Sequence, residues 1–170
     1  MKKYGSIFVP DTLYDDISKL FDYSEYYSGS SYEELEQSVK EFVVNNDVPR
    51  YLYVVRCETT QYYKIGIAND VKKRISTHQT GCPLTLKLVF FAESDLVDHL
   101  AREIIYLEKF LHKSFQKQRV RGEWFELTYD NLADIVEFLE EDRELEVFHS
   151  EPSELSVYFQ RIEEELAQGG

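Results

Sequence analysis

Two side chains in the middle of the chain have types and spacing suited to proton transfer. Tyr53 and Lys64 lie in two β-branched and aromatic runs, residues 51–57 and 62–67, that a short polar turn separates. The runs predict a β-hairpin, and in one register of that hairpin both side chains share a face. An ammonium beside the phenol would lower the pKa of Tyr53 and make it a usable general base. The alternative is a tyrosine packed on the sheet and a lysine that extends to water.

A basic cluster follows on a predicted helix. Arg74 stands beside Lys72 and Lys73, and a guanidinium at this place can hold a phosphate group through two hydrogen bonds while charge develops on it. The alternative is an exposed basic helix face. His78, one helical turn further, could bind phosphate, orient a water molecule or cap the end of the helix.

Glu108 is a carboxylate on a predicted apolar face. The helix predicted over residues 95–117 carries apolar residues at every third or fourth position, and Glu108 falls between two of them, Ile104 and Leu111. A carboxylate there needs a partner, either Mg²⁺ or a neighbouring Lys or Arg. His112 belongs to the same pocket or packs at its edge, and the two residues are too few for a zinc site.

Turn and capping residues delimit the elements around these side chains. Asn69 is the predicted N-cap of a helix over residues 70–79 that ends at Gly81, and a third strand is predicted at 84–92.

A basic loop is predicted after the long helix. Its residues Arg119 and Arg121 are candidates to follow a nucleic-acid backbone. The next run, 124–127, predicts a short closing strand, in which Trp124 and Phe125 are expected to be core residues rather than surfaces on which bases stack.

The predicted architecture is α/β, with a small three-stranded antiparallel or mixed sheet flanked by helices over residues 51–128. Residues 1–50 and 129–170 are predicted to be acidic helical extensions. In the first of them Pro10 opens a helical segment and Ser31-x-x-Glu34 forms a capping box. In the second, helices are predicted near 130–142 and 153–167.

The acidic charge of the chain is unevenly distributed. The formal net charge is −13, which argues against a simple nucleic-acid binder. Residues 51–128 nevertheless hold 12 Lys and Arg against 9 Asp and Glu, a net charge of +3, leaving 7 against 23, or −16, elsewhere. The extensions are therefore candidates for a lid over Arg74, Arg119 and Arg121, for a surface that binds a protein partner, or for solvated helices.

The composition also indicates the cellular compartment. The two cysteines, Cys57 and Cys82, stand alone in the sequence and support neither a disulfide framework nor a Cys-based zinc site. A secretory signal and a membrane span are not predicted. The expectation is a soluble, cytoplasmic protein.

The order of the candidate residues resembles that of the GIY-YIG endonuclease superfamily. That superfamily pairs a Gly-Ile-Tyr strand with a Tyr-Ile-Gly strand, then places an Arg on one helix and a metal-binding Glu on a later one. The corresponding stretches here are residues 51–53 and 64–66, followed by Arg74 and Glu108. The resemblance covers about 78 residues, from 51 to 128.

Further motifs resemble the phage-associated, meiotically up-regulated branch of that superfamily. They are a Gln-Thr-Gly-x-Pro turn at 79–83, a Glu-x-x-x-His helix at 108–112, a Gly-Glu-Trp-Phe strand at 122–125 and a Lys-Ile-Gly strand in place of Tyr-Ile-Gly. Ile65, Gly66 and Gly81 are structural residues of these motifs. The chain departs from the superfamily pattern where Tyr51 replaces Gly, and the Asn often found near the end of the domain has no counterpart.

The resemblance implies a hydrolase that cleaves DNA with Mg²⁺ (or Mn²⁺) as cofactor. Tyr53, aided by Lys64, would activate water, Arg74 would stabilise charge on the phosphate, and Glu108 would hold the metal, with His78 in the same catalytic set. The alternative is a catalytically degenerate protein of the same fold that binds a protein partner or mimics DNA through its acidic surface. By analogy with the branch, phage and mobile elements are the expected context.

Overall fold

The computed structural model describes residues 2–18, 49–94, 100–150 and 154–169, together with Ser31, Glu33, Glu34, Gln37, Ser38 and Glu41. In the last group, the Glu34 N–H donates to Ser31 Oγ at 3.1 Å, which is the first half of the predicted capping box.

The chain begins with a hairpin of β1 (Lys2–Tyr4) and β2 (Ile7–Val9), followed by the short helix α1 (Leu13–Ser18). The helix after Pro10 was predicted, whereas the hairpin before it was not. Ile7 and Leu13 are fully or almost fully buried in the main core. Burial of these apolar side chains is energetically favourable, so the start of the chain packs on the core.

Six antiparallel strands form the central sheet. Their bounds are β3 (Tyr51–Cys57), β4 (Tyr62–Ala68), β5 (Leu86–Glu93), β6 (Arg119–Arg121), β7 (Trp124–Glu126) and β8 (Glu146–His149). The strand order is β6-β7-β4-β3-β5-β8, and each neighbouring pair is antiparallel.

The prediction of a three-stranded sheet was therefore too small. The hairpin β3–β4 and strand β5 were predicted and form the centre of the sheet. The basic stretch from Arg119 to Arg121 was expected to be a loop but pairs with β7 as an edge strand. The opposite edge, β8, was also missed, because a run of four residues is too short to show a clear alternation.

The helices that accompany the sheet are α2 (Val71–Thr80), α3 (Leu100–Ser114), α4 (Tyr129–Glu137) and α5 (Glu154–Gly169). A 3₁₀ turn follows α3 over Gln116–Gln118, and a π turn continues α4 over Phe138–Asp142. The N-cap of α2 is Asp70, whose side chain accepts from the Lys73 N–H at 3.0 Å, and not Asn69 as predicted.

The sheet buries two different faces. Leu52, Val54, Tyr63 and Ile65 point to the main core, which α3 and α4 cover with apolar side chains such as Leu107. Their neighbours along β3 and β4, Tyr53 among them, point to a second, smaller cluster with Val55, Ala68, Val71 and Leu86. This alternation follows from the two-residue period of a strand. It places the second face beside α2.

The predicted domain boundaries do not interrupt the main core, which includes Ile7 from before residue 51 and Leu132 and Ile135 from after residue 128. The functional division of the chain into 1–50, 51–128 and 129–170 stays a prediction. Within the described part of the chain, no helix has the length and apolar character that crossing a membrane requires.

Candidate active site

The β3–β4 register decides where Tyr53 and Lys64 point. Tyr53 lies directly opposite Gly66, and Lys64 lies opposite Val55. Because residues two apart on a strand share a face, Tyr53 and Lys64 are on the same face, as the hairpin predicted.

Gly66 allows the tyrosine ring to lie against the neighbouring strand. A Cβ atom added at Gly66 would lie 2.6 Å from the Tyr53 hydroxyl oxygen and 2.7 Å from the adjacent ring carbon. Tyr53 is only 1% exposed and its ring is rigid, so it has little space into which it could move. Gly66 is therefore required by a close approach of two strands.

We expect Gly66→Ala to displace the Tyr53 ring. The clash should lower the free energy of unfolding by about 1–3 kcal/mol, and a displacement of the hydroxyl by about 1 Å should reduce any activity that uses it by roughly 100-fold. Gly81→Ala is the matched control for stability, because a Cβ there meets its nearest atom, the His78 carbonyl oxygen, at 3.9 Å. Equal urea midpoints for the two variants would contradict the close approach.

Helix α2 brings His78 and Arg74 to the same face. The Tyr53 hydroxyl and His78 Nε2 are 3.4 Å apart, a long hydrogen bond. Arg74 is exposed, and its positive charge acts on Tyr53, on His78 and on Glu108. Burial, together with the charges of Lys64 and Arg74, lowers the pKa of His78 below its usual value, which favours a neutral ring at pH 7.

The structure does not show the lowered pKa that Lys64 was expected to give Tyr53. The pKa of Tyr53 is raised to about 12, mainly by burial and also by the carboxylates of Glu123 and Glu108, whereas the charge of Arg74 opposes the shift. Lys64 is paired with Glu123 instead, with 3.2 Å between Nζ and Oε2. Tyr53 is therefore a neutral phenol in this structure, and it needs an acceptor for its proton before it can act as a base.

Glu108 reaches this region from α3. The pKa of Glu108 is raised to about 7, mainly by burial and also by the neighbouring Glu123 carboxylate, whereas Lys64, Lys109 and Arg74 act in the opposite direction. His112, one turn further along α3, holds the helix in place, because its Nε2 bonds to the Ile65 carbonyl oxygen at 2.8 Å. The ring of His112 also packs against Phe125, so it lies at the edge of the site.

Glu123 is the site residue that the sequence interpretation missed. It lies in the turn between β6 and β7, and its charge acts on Tyr53, His78 and Glu108. The available signal is the Gly-Glu-Trp-Phe motif, which by itself predicts only a strand. Two carboxylates that repel each other in a partly buried place form a donor set that suits a divalent cation.

The donor set suits Mg²⁺ better than zinc. The described residues contain no cluster of three or more His, Cys, Asp or Glu side chains that could hold a metal ion. Mg²⁺ commonly uses one or two carboxylates and completes its shell with water and phosphate oxygens. Glu108 and Glu123 fit that pattern, because the raised pKa of Glu108 is what a nearby cation would reverse.

The ionised Glu108 carboxylate should lower the free energy of unfolding of the metal-free protein at high pH. Its pKa is about 7 in the folded state and near its ordinary value of 4.5 when unfolded, so stability is lost as the pH rises through this window. We expect Glu108→Gln to be more stable than the wild type at pH 8 in EDTA by about 1–2 kcal/mol, a value reduced for solvent screening, and equal to it at pH 4.5.

Urea denaturation at both pH values measures this difference. Glu126→Gln, an exposed carboxylate on β7, is the matched control and should leave the pH dependence as it is in the wild type. If Glu108→Gln and the wild type lose stability in parallel between pH 4.5 and 8, the assignment of the raised pKa to Glu108 is wrong.

The remaining predicted basic residues surround the site at the surface. Lys72, Lys73, Arg119 and Arg121 are all exposed, and the Arg119 guanidinium lies over the ring of Phe125 at 5.3 Å. The described parts of the acidic extensions leave Arg74, Arg119 and Arg121 exposed. Most of residues 19–48 lie outside the described residues, so the lid stays a prediction.

Comparison with known protein families identifies the family of this chain. Residues 50–140, more than half of the chain, match the T5orf172 domain. The chain belongs to the T5orf172 domain family. This is a phage-associated, nuclease-like domain family, and the matched segment carries Tyr53, Arg74, Glu108 and Glu123. No curated protein and no solved structure matches the chain.

Proposed function

We propose that this T5orf172 protein is a metal-dependent phosphodiesterase of the GIY-YIG type that cleaves DNA. The observation that carries the proposal is the convergence of a buried tyrosine, an exposed arginine and a partly buried glutamate from three separate elements, β3, α2 and α3. A general base, a phosphate ligand and a metal ligand are groups that metal-dependent hydrolysis of a phosphodiester can use.

His78 gives Tyr53 the proton acceptor that it needs. Its Nε2 lies 3.4 Å from the phenol oxygen, and its lowered pKa keeps it able to accept. The attacking water would give a proton to the Tyr53 oxygen while Tyr53 passes its own proton to His78 Nε2. The water oxygen forms a bond to phosphorus, the bond from phosphorus to the leaving oxygen breaks, and that oxygen takes a proton from solvent.

Arg74 is the proposed ligand of the scissile phosphate. It is exposed, yet its charge reaches Tyr53, so a phosphate bound to it would stand beside the base. A guanidinium can make two parallel hydrogen bonds to phosphate oxygens and stabilise the charge that grows on them. Lys64 completes the positive charge of the site, while its ion pair with Glu123 fixes its position.

Glu108, with Glu123 close by, would hold Mg²⁺ or Mn²⁺. When bound, such an ion polarises the phosphate and supplies Lewis-acid stabilisation. Both carboxylates raise the pKa of Tyr53, and this effect would be weakened if they held a cation.

The matched pair Arg74→Ala and Lys113→Ala tests this function. Both side chains are exposed cations on helices, and only Arg74 acts on Tyr53 and Glu108. With supercoiled plasmid and Mg²⁺, we expect Arg74→Ala to nick DNA about 10²–10³-fold more slowly than the wild type, a loss typical of a removed charge-stabilising group. Lys113→Ala should keep the wild-type rate. Equal rates for the two variants would contradict the role of Arg74.

A further inference from the structure

A cavity of about 510 Å³ lies next to the proposed catalytic residues. His78 belongs to both, since it contacts Tyr53 and also lines the cavity. The other walls come from the end of α2 and the loop after it, from the end of β3, from the first residues of β4 and β5, and from the β6–β7 hairpin. This volume is in the range of sites that hold a small molecule or a single nucleotide.

Two aromatic side chains form part of the cavity wall. Tyr62 on β4 and Trp124 on β7 lie on paired strands and on the same face as Lys64, which is the direct partner of Trp124. Tyr62 is 42% exposed. Trp124 packs against the second cluster, in line with the predicted core position, but it is only partly buried, unlike the fully buried Phe125. Flat aromatic surfaces that remain accessible are the usual platforms for nucleobases.

The polar groups of the cavity are placed for a nucleotide. Arg121 lines the cavity and is exposed, so its guanidinium can meet a phosphate at the rim. Cys57, Cys82 and Leu86 supply apolar surface at the inner wall, and a nucleobase can exclude water from such a surface. A strand whose phosphate is bound at Arg74 would bring an adjacent base to this wall.

We propose that the cavity binds one unpaired nucleobase of the cleaved strand, stacked on Trp124 beside the scissile phosphate. This inference rests on the proposed nuclease function and specifies its substrate. A base held in a pocket cannot remain paired and stacked in a duplex. The site therefore favours single-stranded or locally unpaired DNA over regular duplex DNA.

Trp124 is the single tryptophan of the chain, so its fluorescence reports on this cavity. We would titrate the wild-type protein in EDTA with a five-nucleotide single-stranded DNA and with an abasic strand that has the same number of phosphates. The base-containing strand should quench Trp124 and bind about tenfold or more tightly, as stacking of one base predicts. Equal affinities without quenching would overturn the proposal.

Two variants separate stacking from simple attraction to phosphate. Cys82→Phe fills the cavity and should remove the preference for the base-containing strand. Trp124→Leu, followed by anisotropy of a labelled strand, should weaken binding of that strand about tenfold and leave the abasic strand unaffected. Phe8→Leu, which removes an exposed aromatic ring of β2 outside the cavity, is the control. A preference that survives in both cavity variants would overturn the proposal.

The titration does not depend on cleavage, because it is made in EDTA. Quenching by the base-containing strand in a protein that cleaves nothing would support the base site and overturn the nuclease function. Cleavage that is equally fast on regular duplex and on unpaired DNA, with no quenching, would overturn the base site alone.

Discussion

Tyr53→Phe is expected to lower the rate of DNA nicking by about 10²–10⁴-fold, the usual contribution of a positioned general base. The substitution removes only the hydroxyl group that lies 3.4 Å from His78 Nε2. The ring that packs against Gly66 remains, so the fold should keep its stability to within about 1 kcal/mol. Initial rates on supercoiled plasmid, together with urea midpoints, measure both quantities.

Tyr63→Phe is the matched control for this prediction. Tyr63 is equally buried and belongs to the same hairpin, but it points to the main core on the opposite face of the sheet. It should therefore keep the wild-type rate. A Tyr53→Phe variant that nicks as fast as Tyr63→Phe would show that another group activates the water.

Arg143→Ala is expected to lower the free energy of unfolding by about 3–5 kcal/mol, because it removes one partner of a buried ion pair. Glu103 on α3 is 0% exposed, its Oε1 accepts a hydrogen bond from Arg143 Nε at 2.9 Å, and the same oxygen forms an ion pair with Arg143 NH2 at 2.9 Å. Arg143 follows the π turn after α4. The pair thus ties the C-terminal part of the chain to the helix that carries Glu108.

Thermal unfolding would show this loss as a fall in Tm of roughly 6–20 °C for a protein of this size. Arg161→Ala, an exposed arginine on α5, should change Tm by only a degree or two. The double variant Glu103→Leu/Arg143→Leu should recover most of the lost stability, because the buried Glu103 charge is removed together with its partner. If Arg143→Ala and Arg161→Ala unfold at the same temperature, the ion pair does not contribute as proposed.

The sequence predicted the centre of the fold because its signals there are local. The β-branched and aromatic runs of β3 and β4 and the apolar spacing of α3 follow from periods of two and about 3.6 residues. The edges of the sheet depend on pairing with distant segments. β8 pairs with β5, which lies more than 50 residues earlier in the chain. No pattern within the four residues of β8 indicates such a partner.

The residues of the candidate site could be predicted from the sequence, but their pKa values and ion pairs could not. Tyr53, Lys64, Arg74, His78 and Glu108 could be selected by type and spacing, and the structure brings them to one region. The protonation state of each residue depends on how deeply it is buried and on other charged residues nearby. Glu123 pairs with Lys64, so the ammonium that was expected to activate Tyr53 is engaged elsewhere, and burial then dominates the pKa of the phenol.

Metal dependence tests the proposed site most directly. We would incubate the purified protein with supercoiled plasmid and with single-stranded DNA in Mg²⁺, in Mn²⁺ and in EDTA, beside Glu108→Gln and its control Glu126→Gln. We expect cleavage with either metal, none in EDTA, and a loss of at least about 10³-fold in Glu108→Gln alone. A folded wild-type protein that cleaves neither substrate under any condition would contradict this expectation and favour a protein that binds a partner through its acidic surface.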